Sequence, residues 1–148
     1  MIVLGIDPGC GHTGWAVIRG GRTALLDCGT IKDDHESTLT KLKALAAKHE
    51  AELIAVQSPV FRNGRTPRFH RGDRSGVGLA KNSELSGLIA GLFRGLEYRV
   101  VTVAPSRRTG LKMPRLEWES YWEHAGRTSQ DARDAAQIAL QAYMEGAK

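Results

Sequence analysis

Apolar residues change their period several times along the chain, and each change marks an element. "MIVLGID" (1–7) is a nearly continuous apolar run ending on Asp7, and "PGCGHTG" after it is rich in turn residues. An apolar run bounded by turn signals reads as a buried strand. "GWAVIRG" and "TALLDCGTI" repeat the pattern across a Gly pair, which predicts three short strands in an antiparallel meander. From Glu36 to Glu50 the period becomes helical. Leu39, Leu42, Leu45, Ala46 and His49 share one face, with Ser37 or Thr38 as the expected N-cap. "LIAV" (53–56) is a fourth strand, and the helical crossover before it predicts that it runs parallel to the first.

The segment from Phe61 to Gly76 has no period and reads as a long loop, a feature that compact domains usually keep for function. Helical spacing returns with Leu85, Leu88, Ile89, Leu92, Phe93 and Leu96. Beside that stripe run Ser83, Gly87, Gly91 and Gly95. Each glycine costs a helix up to about 1 kcal/mol, so close packing is expected to compensate. That packing is either helix on sheet or helix on a second copy of the chain. "YRVVTV" is a fifth strand, stopped by Pro105; helices are expected over Leu116–His124 and Ser129–Glu145. Three strands followed by alternating helix and strand predict one mixed α/β layered domain over residues 1–148.

Composition adds little to this picture, whereas charge changes it. Hydrophobic content of 41% and charged content of 25% are ordinary globular values. Cys10 and Cys28 are too few for a disulfide scaffold and fit a reducing, cytoplasmic setting. No basic-then-apolar leader opens the chain, and no apolar run nears the length of a membrane span. Positive charge is concentrated. Residues 61–74 set Arg62, Arg65, Arg68, Arg71 and Arg74 against one Asp73. Residues 106–115 add Arg107, Arg108, Lys112 and Arg115. Each segment carries four net positive charges, so the rest of the chain is acidic against a total of +5. Arginine concentrated in this way points to a polyanion such as nucleic acid.

Candidate chemistry lies in carboxylates. Asp7 ends a strand beside a glycine turn, a usual position for a site residue. Asp131 and Asp134 share one face in the first turn of the last helix. Acids there also compensate the helix dipole. Ala135, Ala136, Ile138, Ala139 and Leu140 follow them, a small-residue face able to pack tightly on a sheet and bring both acids to its edge near Asp7. Clustered carboxylates repel one another unless a cation joins them, and oxygen-only donors suit Mg²⁺ or Mn²⁺. A pair of such ions beside a polyanion surface is nuclease chemistry.

"GIDPGCGHTGWAVI" resembles the opening signature of the RuvC family of Holliday-junction resolvases, within the RNase H-like superfamily. "QDARDAAQIAL" resembles that family's last helix, and "LIAVQSPVF" its central strand. The resemblance covers the whole chain in order. It implies an RNase H-like three-layer α/β/α domain with a five-stranded mixed sheet. It also implies a homodimer that nicks a four-way DNA junction symmetrically, using two divalent ions, Mg²⁺ or Mn²⁺. Asp7, Asp131 and Asp134 match the family's metal-binding acids. Gln57 stands where the family has a catalytic Glu, so the resemblance makes it a catalytic and metal-site position with the right shape and no charge. Phe61 matches an aromatic that stacks on unpaired bases, and Phe69 is a second candidate. The arginines of 62–74, with Arg107, Arg108 and Arg115, are the expected DNA contacts, and Lys112 is placed to neutralise the scissile phosphate. Ser83, Gly87 and Gly91 are the dimer candidates. His12 either touches phosphate or stabilises its turn. Trp118, Tyr121, Trp122 and His124 are expected to pack over the last helix.

Gln57 favours a silenced nuclease over an active one. Other readings are a non-cleaving junction-binding protein, and an RNase H-like nuclease acting on forks, flaps or ribosomal RNA precursors. A phosphotransferase of the actin and sugar-kinase type would need two such lobes.

Overall fold

A computed structural model describes residues 1–9, 11–21, 24–58, 76–104, 113–124 and 126–146, with the backbone alone for 76–80. Five strands form one sheet: β1 (Ile2–Pro8), β2 (Thr13–Arg19), β3 (Ala24–Ile31), β4 (Leu53–Gln57) and β5 (Arg99–Val103). The helices are α1 (His35–Lys48), α2 (Gly76–Gly95), α3 (Arg115–Tyr121) and α4 (Gln130–Gly146). Strand order is β3-β2-β1-β4-β5. The β1–β2 and β2–β3 pairs are antiparallel, while β1–β4 and β4–β5 are parallel. The meander and the parallel fourth strand are as the hydrophobic pattern predicts.

Strand alternation divides the core into two layers, because successive side chains point to opposite faces. Val3, Ala16, Ile18, Leu53 and Ala55 pack with Trp118, Trp122 and the small residues of α4. Leu4, Ile6, Val17, Ile54 and Val56 pack with Leu42 and Ala46 of α1 and Leu85, Ile89 and Phe93 of α2. The result is three layers, with the sheet in the middle.

α4 lies very close to the sheet. A Cβ built on Gly5 would stand 2.1 Å from the Ala135 carbonyl oxygen and 2.8 Å from the Ala139 Cβ. Glycine in β1 and alanine in α4 therefore allow one close approach, which larger side chains would prevent.

Two local expectations need correction, and one of two open alternatives for α2 drops out. The N-cap of α1 is Asp34, whose Oδ1 accepts the Ser37 N–H at 2.8 Å, and not Ser37 or Thr38. An acid three residues ahead of the amide reaches it better than a hydroxyl already inside the turn. α3 stops at Tyr121, short of His124, because Glu123 takes a left-handed φ of 50°. The glycine stripe of α2 does not seat that helix on the sheet. A Cβ at Gly87, Gly91 or Gly95 meets nothing within 4 Å among the described residues. The flank carrying Leu85, Ile89 and Phe93 faces the core instead, since it buries far more apolar surface.

Candidate functional site

The two central strands end side by side. β1 and β4 are parallel neighbours, with Gly5 level with Ala55 and Ile6 level with Val56. Carrying that register one residue further sets Asp7 beside Gln57. Gly5 faces α4 and Ala55 packs in its layer, so strand alternation turns Asp7 and Gln57 to that same face. Both are half-buried.

The first turn of α4 closes over this point. Asp7 pairs across the antiparallel ladder with Gly14. A Cβ on Gly14 would stand 2.1 Å from the Asp131 carbonyl oxygen and 2.8 Å from the Asp131 Cβ. The backbone of Asp131 therefore rests on β2 at the level of Asp7. The lead-in to α4 is pinned there. Ser129 Oγ accepts the Ala132 N–H at 3.0 Å and lies 2.5 Å from Thr30 Oγ1 of β3.

Two neighbours of the acids are not singled out by the sequence. Arg133 is buried, with 9% of its surface exposed. Its guanidinium donates to the Thr128 carbonyl and, at 2.8 Å, to Gln130 Oε1. The Gln130 amide then donates to Asp134 Oδ1 at 2.7 Å. Because arginine is a donor only, it orients that amide with its NH₂ toward Asp134. Nothing in the helical period distinguishes this arginine from a solvated one. Its position within an otherwise small-residue stretch, "ARDAA", is the one available signal. On the other side of the site, Ser86 of α2 donates to the Gln57 carbonyl at 3.1 Å. The Ser58 N–H donates to the Val103 carbonyl at 2.8 Å, closing the end of β4.

The oxygen-only donor set is of the kind Mg²⁺ or Mn²⁺ accepts. The number of carboxylates is short, however. Among the described residues, no group of three or more His, Cys, Asp or Glu side chains lies close enough together to hold a metal ion. At the end of β4 position 57 offers a neutral amide oxygen, and Asp134 Oδ1 accepts from Gln130.

Phe61, Arg62, Arg65, Arg68, Phe69, Arg71, Arg74, Arg107, Arg108 and Lys112 lie outside the described residues. Arg115 is exposed at the start of α3, where it pairs with Glu119 one turn on. His12 is exposed, and its backbone N–H closes the turn onto the Gly9 carbonyl at 3.3 Å. Trp118 and Trp122 are buried against α4, as expected, whereas Tyr121 is half exposed. Ser83, Gly87 and Gly91 all lie on the outer side of α2. No helix among the described residues is long and apolar enough to cross a membrane.

Comparison with known proteins gives a consistent picture. No protein-family model matches the chain. The crossover junction endodeoxyribonuclease RuvC of Zymomonas mobilis is 32% identical over 101 residues, covering 62% of this chain and 60% of the relative. The RuvC of Sphingopyxis alaskensis is 38% identical over 73 residues, 43% of this chain and 46% of the relative. The chain thus matches less than two thirds of the length of these relatives. Among solved structures, Thermus thermophilus RuvC in complex with Holliday junction substrate superposes with a TM-score of 0.68 at 21% identity, over 99% of this chain and 96% of that one. A second T. thermophilus RuvC structure gives 0.61 at 19% identity, over the same shares of the two chains. The chain therefore has the RNase H-like α/β/α fold seen in RuvC, and its sequence is similar to RuvC crossover junction endodeoxyribonucleases over the matched stretches.

Proposed function

We propose that this chain is a RuvC-like protein that recognises four-way DNA junctions, and that Gln57 weakens its nuclease centre. The observation that carries the reading is the parallel register of β1 and β4, level at Ile6 and Val56, whose continuation brings Asp7 and Gln57 side by side beneath Asp131. The likeness to the RuvC proteins of Zymomonas mobilis and Sphingopyxis alaskensis supports it, as does the concentration of arginine in residues 61–74 and 106–115.

In this reading Asp7, Asp131 and Asp134 are the acids of the centre, and Gln57 fills the place of a fourth. Glutamine preserves volume and an oxygen donor but removes one negative charge from the set. A full complement of acids would hold Mg²⁺ or Mn²⁺, the ions that activate water and stabilise a leaving oxygen in phosphodiester cleavage. Arg62, Arg65, Arg68, Arg71, Arg74, Arg107, Arg108 and Arg115 bind phosphates, Lys112 sits by the reacting one, and Phe61 or Phe69 stacks on an unpaired base. Two copies associate through the outer side of α2, where Ser83, Gly87 and Gly91 lie open and Leu88 is 43% exposed. Each copy acts as one domain over residues 1–148.

The test compares the chain with its Gln57→Glu variant on four-way junctions, forks, flaps and plain duplex. Both proteins are expected to bind the four-way junction in preference to duplex. Gln57→Glu alone is expected to nick it efficiently with Mg²⁺ or Mn²⁺. Equal affinity for junction and duplex overturns the reading. A variant that binds junctions and never cuts them favours a non-cleaving junction-binding protein, for which the amide at position 57 is the specific support.

A further inference from the structure

On the opposite side of the sheet from α4, a cleft of about 700 Å³ opens between α1 and the β2–β3 hairpin. Its apolar lining is Trp15, Ile31, Ala44 and Leu45. Its rim carries Lys32, Lys41 and Lys48 against the single Asp33. Trp15 is half-buried against the α1/α2 core layer. Gly29 makes room for it, since a Cβ there would stand 2.9 Å from the indole Cζ2. The indole N–H makes no hydrogen bond to the described residues. Lys41 is paired with Asp33, and Lys48 reaches Asp27 at 3.3 Å, an acid that His49 also contacts. Lys32 has no ion-pair partner among the described residues. Exposed pairs of this kind contribute little, so an incoming anion displaces them at small cost.

We propose that this cleft binds a nucleobase together with its phosphate, the chemistry shared by a free nucleotide and by an unpaired residue of a strand. The apolar floor and the cationic rim select the ligand jointly. A bare anion would leave Trp15, Ile31 and Leu45 without a partner, and a purely apolar compound would leave the Lys32 ammonium unpaired among the described residues. A nucleotide satisfies both: its base lies against the indole and aliphatic walls, and its phosphate meets Lys32 and the two neighbouring lysines. The cleft lies on the face away from Asp7, Gln57 and Asp131, so it is a separate site and does not depend on the reading of that centre.

The experiment follows the three indole N–H signals of the ¹⁵N-labelled full chain while dAMP, or a short single-stranded oligodeoxynucleotide, is added. Trp118 and Trp122 are buried against α4 and serve as internal controls. The Trp15 signal is expected to shift and saturate while the other two stay in place. Lys32→Glu, a surface change, is expected to weaken that response about tenfold through charge reversal beside the phosphate. A response to dAMP identifies a free nucleotide as sufficient, and a response to the oligonucleotide alone identifies the strand. A Trp15 signal unmoved by both ligands, or a Lys32→Glu titration matching that of the unmodified chain, overturns the proposal.

Discussion

The carbonyl oxygen of Asp131 lies 2.1 Å from where a Cβ on Gly14 would stand. α4 thus reaches the sheet at the level of Asp7 only because β2 carries no side chain there. Gly14→Ala must lift the first turn of α4 or bend β2. Overpacking of this kind costs about 1–3 kcal/mol. The expected outcome is a lower thermal midpoint and, in the Gln57→Glu background, a loss of nicking larger than the loss of junction binding. A midpoint unchanged in differential scanning calorimetry would show that α4 does not rest on Gly14.

Gln57 also bears on affinity. Without divalent ions, each carboxylate in the site repels a phosphate, and a charge held at a partly buried position is only partly screened. Gln57→Glu is therefore expected to bind a four-way junction about three- to tenfold more weakly in EDTA. Adding Ca²⁺ or Mg²⁺ should recover that loss in the variant and change the unmodified chain much less. Fluorescence anisotropy with a labelled junction reads both arms.

Gly91 on α2 gives a test whose sign decides between two environments. A Cβ there meets nothing within 4 Å inside the described protomer. If the face is solvated, Gly91→Ala raises stability by up to about 1 kcal/mol through helix propensity. If a second copy packs on it, Gly91→Leu leaves each protomer folded yet dissociates the pair. Light scattering is expected to show dimers for the unmodified chain and monomers for Gly91→Leu. An unchanged dimer would place the interface elsewhere.

Arg115 forms an exposed pair with Glu119 one helical turn on. Arg115→Ala should change stability by no more than about 0.5 kcal/mol. As a phosphate contact it should lower junction affinity and reduce the slope of log affinity against log salt by about one. An unaltered slope would remove Arg115 from the DNA surface.

Burial and the neighbouring Asp27 raise the pKa of Cys28 above its ordinary value of 9.0, burial being the larger cause. Below that value the thiol is protonated in both folded and unfolded chains, so it contributes nothing to pH dependence. Above it, the unfolded chain releases its proton first, and stability falls as pH rises. Cys28→Ser is expected to flatten this alkaline decline in denaturation midpoint. Alkylation of the native thiol at neutral pH is expected to be slower than that of a free thiol peptide, because the thiolate is the nucleophile.

The sequence by itself determined the order of strands and helices and the ends on which Asp7, Gln57, Asp131 and Asp134 sit. Those features depend on hydrophobic period and on turn residues, which act over a few positions. It also marked the helix face that packs tightly, because the run of alanines after Asp134 has no other economical use. Only the tertiary structure decided which ends meet. Asp7 and Gln57 become neighbours because β1 and β4 pair across some fifty residues of chain, a contact no local period encodes. The outward turn of Gly87 and Gly91 and the burial of Arg133 were decided in the same way. Each depends on which competing surface packs best against the sheet, and that outcome is set by all three layers together.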